Sequence, residues 1–415
     1  MKLGIVGLGY VGLPLALAFA EAGNEVVGLD TDPAKLADLR AGRSYIEDVA
    51  DAELAACAPR LHPTDDYADL EDCEAVILCV PTPLSNSREP DLSYLREAAA
   101  AVAAHLQPGQ LIVLESTSYP GTTREELLPA LAAQGGTVGV DFFLAFSPER
   151  IDPGRSDHSI RTTPKLVGGI TPACTERARA LYAQICDTVE VLSSPETAEL
   201  AKLLENIFRS VNIALVNEIA QLCDRLGIDV WEVIDAASTK PFGFMRFDPG
   251  PGMGGHCLPV DPFYLAFKAR EHDFYPEFVE LAGKVNQAQP EFCVRRIERA
   301  LNDAGKPVKN SRILILGASY KPGIGDTRES PALRIIALLR DLGADIAYHD
   351  PFVPELPSAG LRSVDLDQTL PTIDLLAIVT AHPNVDHAAA IAAAPRTLDF
   401  RGISRAYDSD TVERL

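Results

Sequence analysis

The sequence predicts an α/β protein with two Rossmann-like, doubly wound domains joined by a long central helix. Three observations predict it. Short β-branched runs alternate with Ala- and Leu-rich runs over the first third, a second alternation begins at Ser311, and between them Glu196–Leu226 keeps helical spacing with no internal Gly or Pro. Such alternation implies parallel strands with helices on both faces of the sheet.

In order, the first region offers the strand KLGIV, a helix from Pro14 to Ala22, and the strands EVVGLD, AVILCVPTP, QLIVLEST and FFLAFSPER. After the long helix, the stretch FDPGPGMGGHCLPVDP is expected as a fixed loop, because glycine is permissive and proline removes a donor. The second region offers the strand RILILG, the polar loop ASYKPGIGDTRES, a helix from Pro331 to Leu342, and the strands DIAYHD and DLLAIVTAH. A chain of 415 residues exceeds one core, since single cores stop growing at roughly 250–300 residues. We expect boundaries at 1–195, 196–300 and 301–415.

With 59 acidic against 37 basic residues, the formal charge of −22 argues against nucleic acid and anionic membranes as partners. An anionic substrate must then be held by local cations. The eight cysteines, Cys57, Cys73, Cys79, Cys174, Cys186, Cys223, Cys257 and Cys293, form no C-x-x-C pair. That pattern indicates neither a disulfide framework nor a zinc site, and a reducing cytoplasm is the expected home. The opening MKLGIVGLGYVGLPLALAFA superficially resembles a signal peptide, but it carries glycines at fixed spacing and runs into a polar helix end at Glu21. No stretch reaches about 18 uninterrupted apolar residues, so no membrane span is expected.

Gly7, Gly9 and Gly12 form G-x-G-x-x-G directly after a strand and at the start of a helix. Glycines there let backbone amides approach a pyrophosphate at a helix N-terminus, where the dipole favours anions. Asp30 ends the next strand, where an acid binds a ribose 2′-hydroxyl and repels a 2′-phosphate; the cofactor expected is NAD rather than NADP. Lys35 has two readings, a cation near the adenosine end or a solvated helix lysine.

Cys257 is the one cysteine in a Gly/Pro-rich loop beside polar residues, which makes it the candidate nucleophile. A metal site of His256 and Cys257 lacks a third ligand at metal spacing, and no metal is expected. Lys202 and Asn206 lie four apart on one helix face. On the residues alone, Lys202 either snorkels at the surface or is placed for function.

The motifs GLGYVGLPLA, GLD, CVPTP, ESTSYPGTT, FSPER, ELAKLLEN, PGPGMGGHCLPVDP and ASYKPGIGDTRESPA stand in an order that resembles the UDP-glucose/GDP-mannose dehydrogenases over essentially the whole chain. The resemblance implies a four-electron oxidation at C6 of a nucleotide-linked sugar, consuming two NAD. It implies an NAD domain, a helical domain for dimerisation and the catalytic loop, and a C-terminal nucleotide-sugar domain, with the long helix packing against its symmetry mate in a homodimer. Lys202, Asn206 and Asp261 would serve the first oxidation, Cys257 would carry a thiohemiacetal and then a thioester, and Glu149 would assist hydrolysis, with Thr117 near the reacting centre.

By the same resemblance, Val11, Thr82, Thr117 and Arg328 join Gly7, Gly9, Gly12, Asp30 and Lys35 as cofactor contacts. Glu149, Arg150, Lys202, Asn206, Gly250, Gly254 and Lys321 become substrate contacts. Lys321 and Arg328 would place cations beside a diphosphate. The segments SPERIDPG and FGFMRFDPGPGMGGHC are most similar to the UDP-N-acetylglucosamine 6-dehydrogenases, although Arg246 and Asp248 replace an expected Pro and Tyr, and Val260 stands where many UDP-glucose enzymes carry lysine. Competing readings are the same chemistry on UDP-glucose, UDP-N-acetylmannosamine or GDP-mannose, a two-electron hydroxyacid dehydrogenase, and a non-catalytic nucleotide-sugar sensor. Cys257 argues against the second and the intact Cys257, Lys202 and Asn206 against the third. Uronic acid supply for surface polysaccharides is the implied pathway.

Overall fold

The computed structural model describes residues 1–46, 49–85, 89–133, 135–150, 159–255, 258–407 and 409–415. The candidate nucleophile Cys257 and its neighbour His256 lie outside the described residues. The chain divides into two compact units: Met1–Glu205 with Phe263–Phe274, and Asn206–Pro262 with Tyr275–Leu415.

The first unit is built on strands β1 (Lys2–Val6), β2 (Glu25–Leu29), β3 (Leu61–Thr64), β4 (Ala75–Leu78), β5 (Leu111–Leu114), β6 (Phe143–Phe146), β7 (Lys165–Gly169) and β8 (Val189–Val191). They form one sheet in the order β3-β2-β1-β4-β5-β6-β7-β8. Its central strands, AVIL, LIVL and FLAF, are buried at every residue, as expected of a sheet covered on both faces. The strand order reverses between β1 and β4, which pair in register Leu3 to Ala75 through Val6 to Leu78. A reversal of this kind opens a crevice at the strands' C-terminal ends, the usual ligand position in such sheets.

Two features differ from the sequence expectation. The pairing of β6 with β7 is antiparallel, and β3 was not evident because LHPT has no apolar run and contains Pro63. A proline is tolerated there because β3 is an edge strand. Helix starts follow local rules: Asp32 accepts a bond from the Ala34 amide ahead of Pro33–Arg40, and Thr171 accepts from Cys174 ahead of Pro172–Tyr182, each with proline in the first turn.

The second unit carries β9 (Arg312–Leu316), β10 (Asp345–His349), β11 (Glu355–Leu356), β12 (Leu361–Arg362), β13 (Leu375–Ile378), β14 (Thr397–Asp399) and β15 (Val412–Arg414). An all-parallel sheet runs β10-β9-β13-β14-β15, and β11 with β12 makes a small antiparallel ribbon. The central helix spans Pro195–Leu226, 32 residues. The last residues of the expected Gly/Pro loop, Asp261 and Pro262, instead open a helix, Asp261–Arg270. Proline is compatible with that position because the first-turn N–H has no helical partner to lose.

Candidate active site

In the first unit the Gly-rich turn is shaped by close backbone approach. Gly7 has φ 93°, and a Cβ there would lie 2.6 Å from the Cys79 carbonyl oxygen. A Cβ on Gly12 would lie 1.8 Å from the Gly7 oxygen, so the helix Gly12–Glu21 can start only with glycine there. Over Gly9 nothing lies within 4 Å, and Val11, at the helix N-cap, supplies no side-chain hydrogen bond. The first-turn amides are therefore not capped by Val11, and the space above Gly9 is open. That combination fits a pyrophosphate.

Asp30 is 6% exposed and accepts bonds from the amides of Leu8 (2.8 Å) and Asp32 (2.9 Å). Lys35 pairs with the same carboxylate at 2.9 Å and lies 6.0 Å from the Tyr45 ring centroid. The lysine is thus paired with the Asp30 carboxylate while staying partly exposed. Each Asp30 oxygen can accept more than one bond, leaving capacity for ribose hydroxyls. The residues present fit NAD.

Further along the same edge, Thr82 Oγ1 donates to the Thr117 carbonyl (2.7 Å) and the Tyr264 hydroxyl donates to the Thr82 carbonyl (2.9 Å). These bonds tie together the segments after β4 and β5. Glu149, just beyond β6, accepts from the Arg150 amide at 2.9 Å and from Lys165 Nζ at 3.3 Å. The Arg150 guanidinium pairs with Glu205 at 2.7 Å. Glu199 on the long helix accepts from the amides of Gly121 (2.6 Å) and Thr123 (2.9 Å). Burial pushes its carboxyl up to about 7, with those bonds opposing.

Lys202, one turn further, is 7% exposed and has no hydrogen-bond or ion-pair partner among the described residues. Burying an ammonium without a partner is costly. A group placed so at a cost to stability is a candidate for meeting charge on a ligand.

In the second unit, Asn206 and Asp261 are buried, at 0% and 1% exposure. Asn206 Nδ2 donates to Asp261 Oδ2 at 2.5 Å, and Arg209 donates to Asn206 Oδ1, which fixes the amide's orientation. In the loop PGPGMGG, the Gly250 amide donates to Asn217 Oδ1 (3.0 Å) and the Gly255 amide to the Arg328 carbonyl (3.1 Å). A Cβ on Gly254 would meet Tyr320 Cβ at 2.6 Å and the Glu329 oxygen at 2.9 Å. Gly250 and Gly254 therefore lie in a loop packed on the one that carries Lys321 and Arg328. The Arg328 guanidinium is bonded to Asp326. Arg246 is paired with Asp235 (2.6 Å) and Asp248 (2.9 Å).

Sequence reasoning did not single out the buried acid Glu115, Lys165 or Tyr182 in the first unit, nor His382 and Asp350 in the second. A usable signal existed for the first pair: Glu115 closes the apolar strand segment LIVL, and Lys165 opens the apolar KLVGG. Among the described residues no group of three or more His, Cys, Asp or Glu could hold a metal, and no helix is long and apolar enough to cross a membrane.

Comparison with known proteins matches three parts of one family. Residues 1–186 match the UDP-glucose/GDP-mannose dehydrogenase family NAD binding domain, 196–288 its central domain and 314–406 its UDP binding domain. A UDP-N-acetyl-D-glucosamine 6-dehydrogenase of Pseudomonas aeruginosa is 37% identical over 85% of this chain and 83% of its own length. A UDP-N-acetyl-D-mannosamine dehydrogenase of Pyrococcus horikoshii is 36% identical over 92% of this chain and 90% of its own. The solved structure of a UDP-D-ManNAc dehydrogenase from Pyrococcus horikoshii superposes with a TM-score of 0.91 at 32% identity, covering 100% of this chain and 99% of that one. The chain belongs to the UDP-glucose/GDP-mannose dehydrogenase family, and it is an NAD-dependent UDP-sugar dehydrogenase.

Proposed function

We propose that the substrate is UDP-N-acetylglucosamine, oxidised at C6 to UDP-N-acetylglucosaminuronate through a covalent intermediate on Cys257. The observation that carries the chemistry is Lys202, a buried ammonium with no partner among the described residues, one turn from Asn206, which is bonded to Asp261. The substrate class rests on relatives that act on 2-acetamido sugars and on the segments SPERIDPG and FGFMRFDPGPGMGGHC.

Bound NAD supplies the hydride acceptor in each oxidation. Gly7, Gly9, Val11 and Gly12 would hold its pyrophosphate, and Asp30 with Lys35 its adenosine ribose; Thr82, Thr117 and Arg328 complete its contacts. A base would remove the C6 hydroxyl proton in the part of the site occupied by Lys202 and Asp261, with a water held by Asn206 and Asp261. An aldehyde has no hydride to release until a nucleophile adds, and the Cys257 thiolate supplies one, giving a thiohemiacetal and then a thioester. The Lys202 ammonium and the Asn206 amide would stabilise oxyanion character at each stage. Glu149 would activate the water that releases the acid, and Lys321, Arg150, Gly250 and Gly254 would hold the nucleotide sugar.

We retain the division 1–195, 196–300 and 301–415 as the functional one, and a homodimer through the central helix. Leu200, Leu204, Phe208, Leu215, Leu222 and Leu226 on that helix are 45%, 63%, 46%, 54%, 49% and 60% exposed, an apolar surface that a two-fold partner would cover. A cytoplasmic setting and a role in polysaccharide precursor supply complete the reading. The test is kcat/KM on UDP-N-acetylglucosamine, UDP-glucose, UDP-N-acetylmannosamine and GDP-mannose. The first should lead; preference for another sugar would reassign the substrate.

A further inference from the structure

In the first unit, behind Glu149, lies a buried cluster that the proposed steps do not use. Lys165, the first residue of β7, is 4% exposed and Glu115, just past β5, 1%. The Lys165 ammonium is bonded to Glu115 Oε1, and the other Glu115 oxygen accepts from the Tyr182 hydroxyl at 2.6 Å. The same ammonium reaches Glu149 Oε2 at 3.3 Å and lies 5.0 Å from the Tyr182 ring centroid. Glu149 Oε1 is meanwhile held by the Arg150 amide.

Two carboxylates therefore share one buried cation. The thiols of Cys79 and Cys186 face the same cluster, and burial pushes both up, so neither supplies an anion there near neutral pH. The Arg150 guanidinium is turned to Glu205 and to the Pro164 carbonyl. Lys165 is a buried cation bonded directly to the Glu149 carboxylate.

We infer that Lys165 is a positioning residue for thioester hydrolysis: its ammonium fixes the Glu149 carboxylate and keeps it in its charged, proton-accepting form. The inference rests on the reading of Glu149 as the base in that step. There, water oxygen bonds to the acyl carbon, a water proton passes to Glu149, and the C–S bond breaks with its electron pair returning to Cys257 Sγ. No electrons are gained or lost. Neither Lys165 nor Glu115 has a part in the first hydride transfer, so loss of Lys165 should act on thioester hydrolysis and leave earlier steps intact. Glu115 is the competing anion. Burial pushes its carboxyl up to about 7, with Lys165 opposing and Glu149 adding to the rise. While ionised, Glu115 draws on the same ammonium and makes Glu149 easier to protonate.

Lys165→Met and Glu115→Gln should consequently move the acid limb of the kcat–pH profile in opposite directions, which loss of packing alone would not do. In Lys165→Met the limb should rise by about one to three pH units, the usual effect of removing a close opposite charge. Intact-protein mass should then show the acyl-enzyme on Cys257 accumulating after NAD and UDP-N-acetylglucosamine are added. Lys165→Arg should return both readouts toward the parent, and Glu115→Gln should lower the limb. Should Lys165→Met not fold, Lys165→Arg and Glu115→Gln still decide, since a limb that rises or stays fixed in Glu115→Gln overturns the inference. Glu149→Gln separates the two levels: if it accumulates acyl-enzyme while folded Lys165→Met does not, the Lys165 inference alone fails. If Glu149→Gln hydrolyses at the parent rate, the base assignment fails and the inference with it.

Discussion

The two Rossmann-like units repeat one framework and use it differently. In the first, β1 ends at Gly7 (φ 93°) and β2 is followed by Asp30; in the second, β9 ends at Gly317 (φ 88°) and β10 is followed by Asp350. A Cβ on Gly7 would meet the Cys79 oxygen at 2.6 Å and one on Gly317 the Thr380 oxygen at 2.2 Å, so the turn is forced in the same way. The acids then diverge. Asp30 keeps one charged partner, the part-exposed Lys35, and its neighbours enter a helix at once through Gly12.

Asp350, by contrast, accepts from the amides of Ala318, Ser319, Phe352 and Val353 and from the buried His382 at 2.9 Å. The His382 Nδ1 accepts from the Gly323 amide, which leaves Nε2–H to donate to Asp350. In place of a tight turn stands the loop Ala318–Ser330, carrying Lys321 and Arg328. The lesson is that a strand–glycine–acid pattern marks the scaffold, whereas the ligand depends on whether the acid is left reachable or closed into the loop's own support.

The largest expected effect comes from breaking that support. Asp350→Ala should cost about 3–5 kcal/mol of stability, as removing one member of a buried pair does, with NAD affinity unchanged in whatever remains folded; Asp30→Ala should instead erode the preference for NAD over NADP. Denaturant unfolding and paired cofactor titrations separate the two. Burial opposes ionisation of Asp350, but the bonds from His382 and the Ser319 and Ala318 amides outweigh it and hold its carboxyl below the usual range. Its contribution is therefore in place above the ordinary aspartate pKa of about 4 and is lost as pH falls below it. The Tm gap between parent and Asp350→Asn should narrow on acidification, and a gap that widens would contradict the assignment.

Next, Gly7→Ala and Gly317→Ala should each cost about 1–3 kcal/mol for a strained backbone, yet only Gly7→Ala should abolish NAD binding. Calorimetry against NAD would reveal an error if the second change did so too. Lys321→Ala should raise the KM for the UDP-sugar by about tenfold, the scale of one charge-assisted hydrogen bond, and change kcat less. Smallest is Lys35→Ala, below about 1 kcal/mol in stability because its ion pair with Asp30 is partly exposed.

The scaffold was legible because its signals are local: KLGIV followed by the glycines, the uninterrupted Glu196–Leu226, and RILILG opening the second half all became the expected elements. β3 and β8 were missed because edge strands need no apolar run, and the reversed β7 because strand direction is set by tertiary pairing. Candidate site residues that a motif carries could be proposed in advance. The Lys165, Glu115 and Tyr182 cluster could not: a charge at the end of an apolar strand flags Glu115 and Lys165 singly, but the members meet only when β5, β7 and the helix Pro172–Tyr182 pack together.

The most direct test of the central claim is to count NADH formed per UDP-N-acetylglucosamine consumed, for the parent and for Cys257→Ser. The account predicts two NADH per sugar with uronate as product, and loss of acid formation in Cys257→Ser with substrate binding retained. One NADH per sugar in the parent, or full conversion to the acid without the thiol, would contradict it.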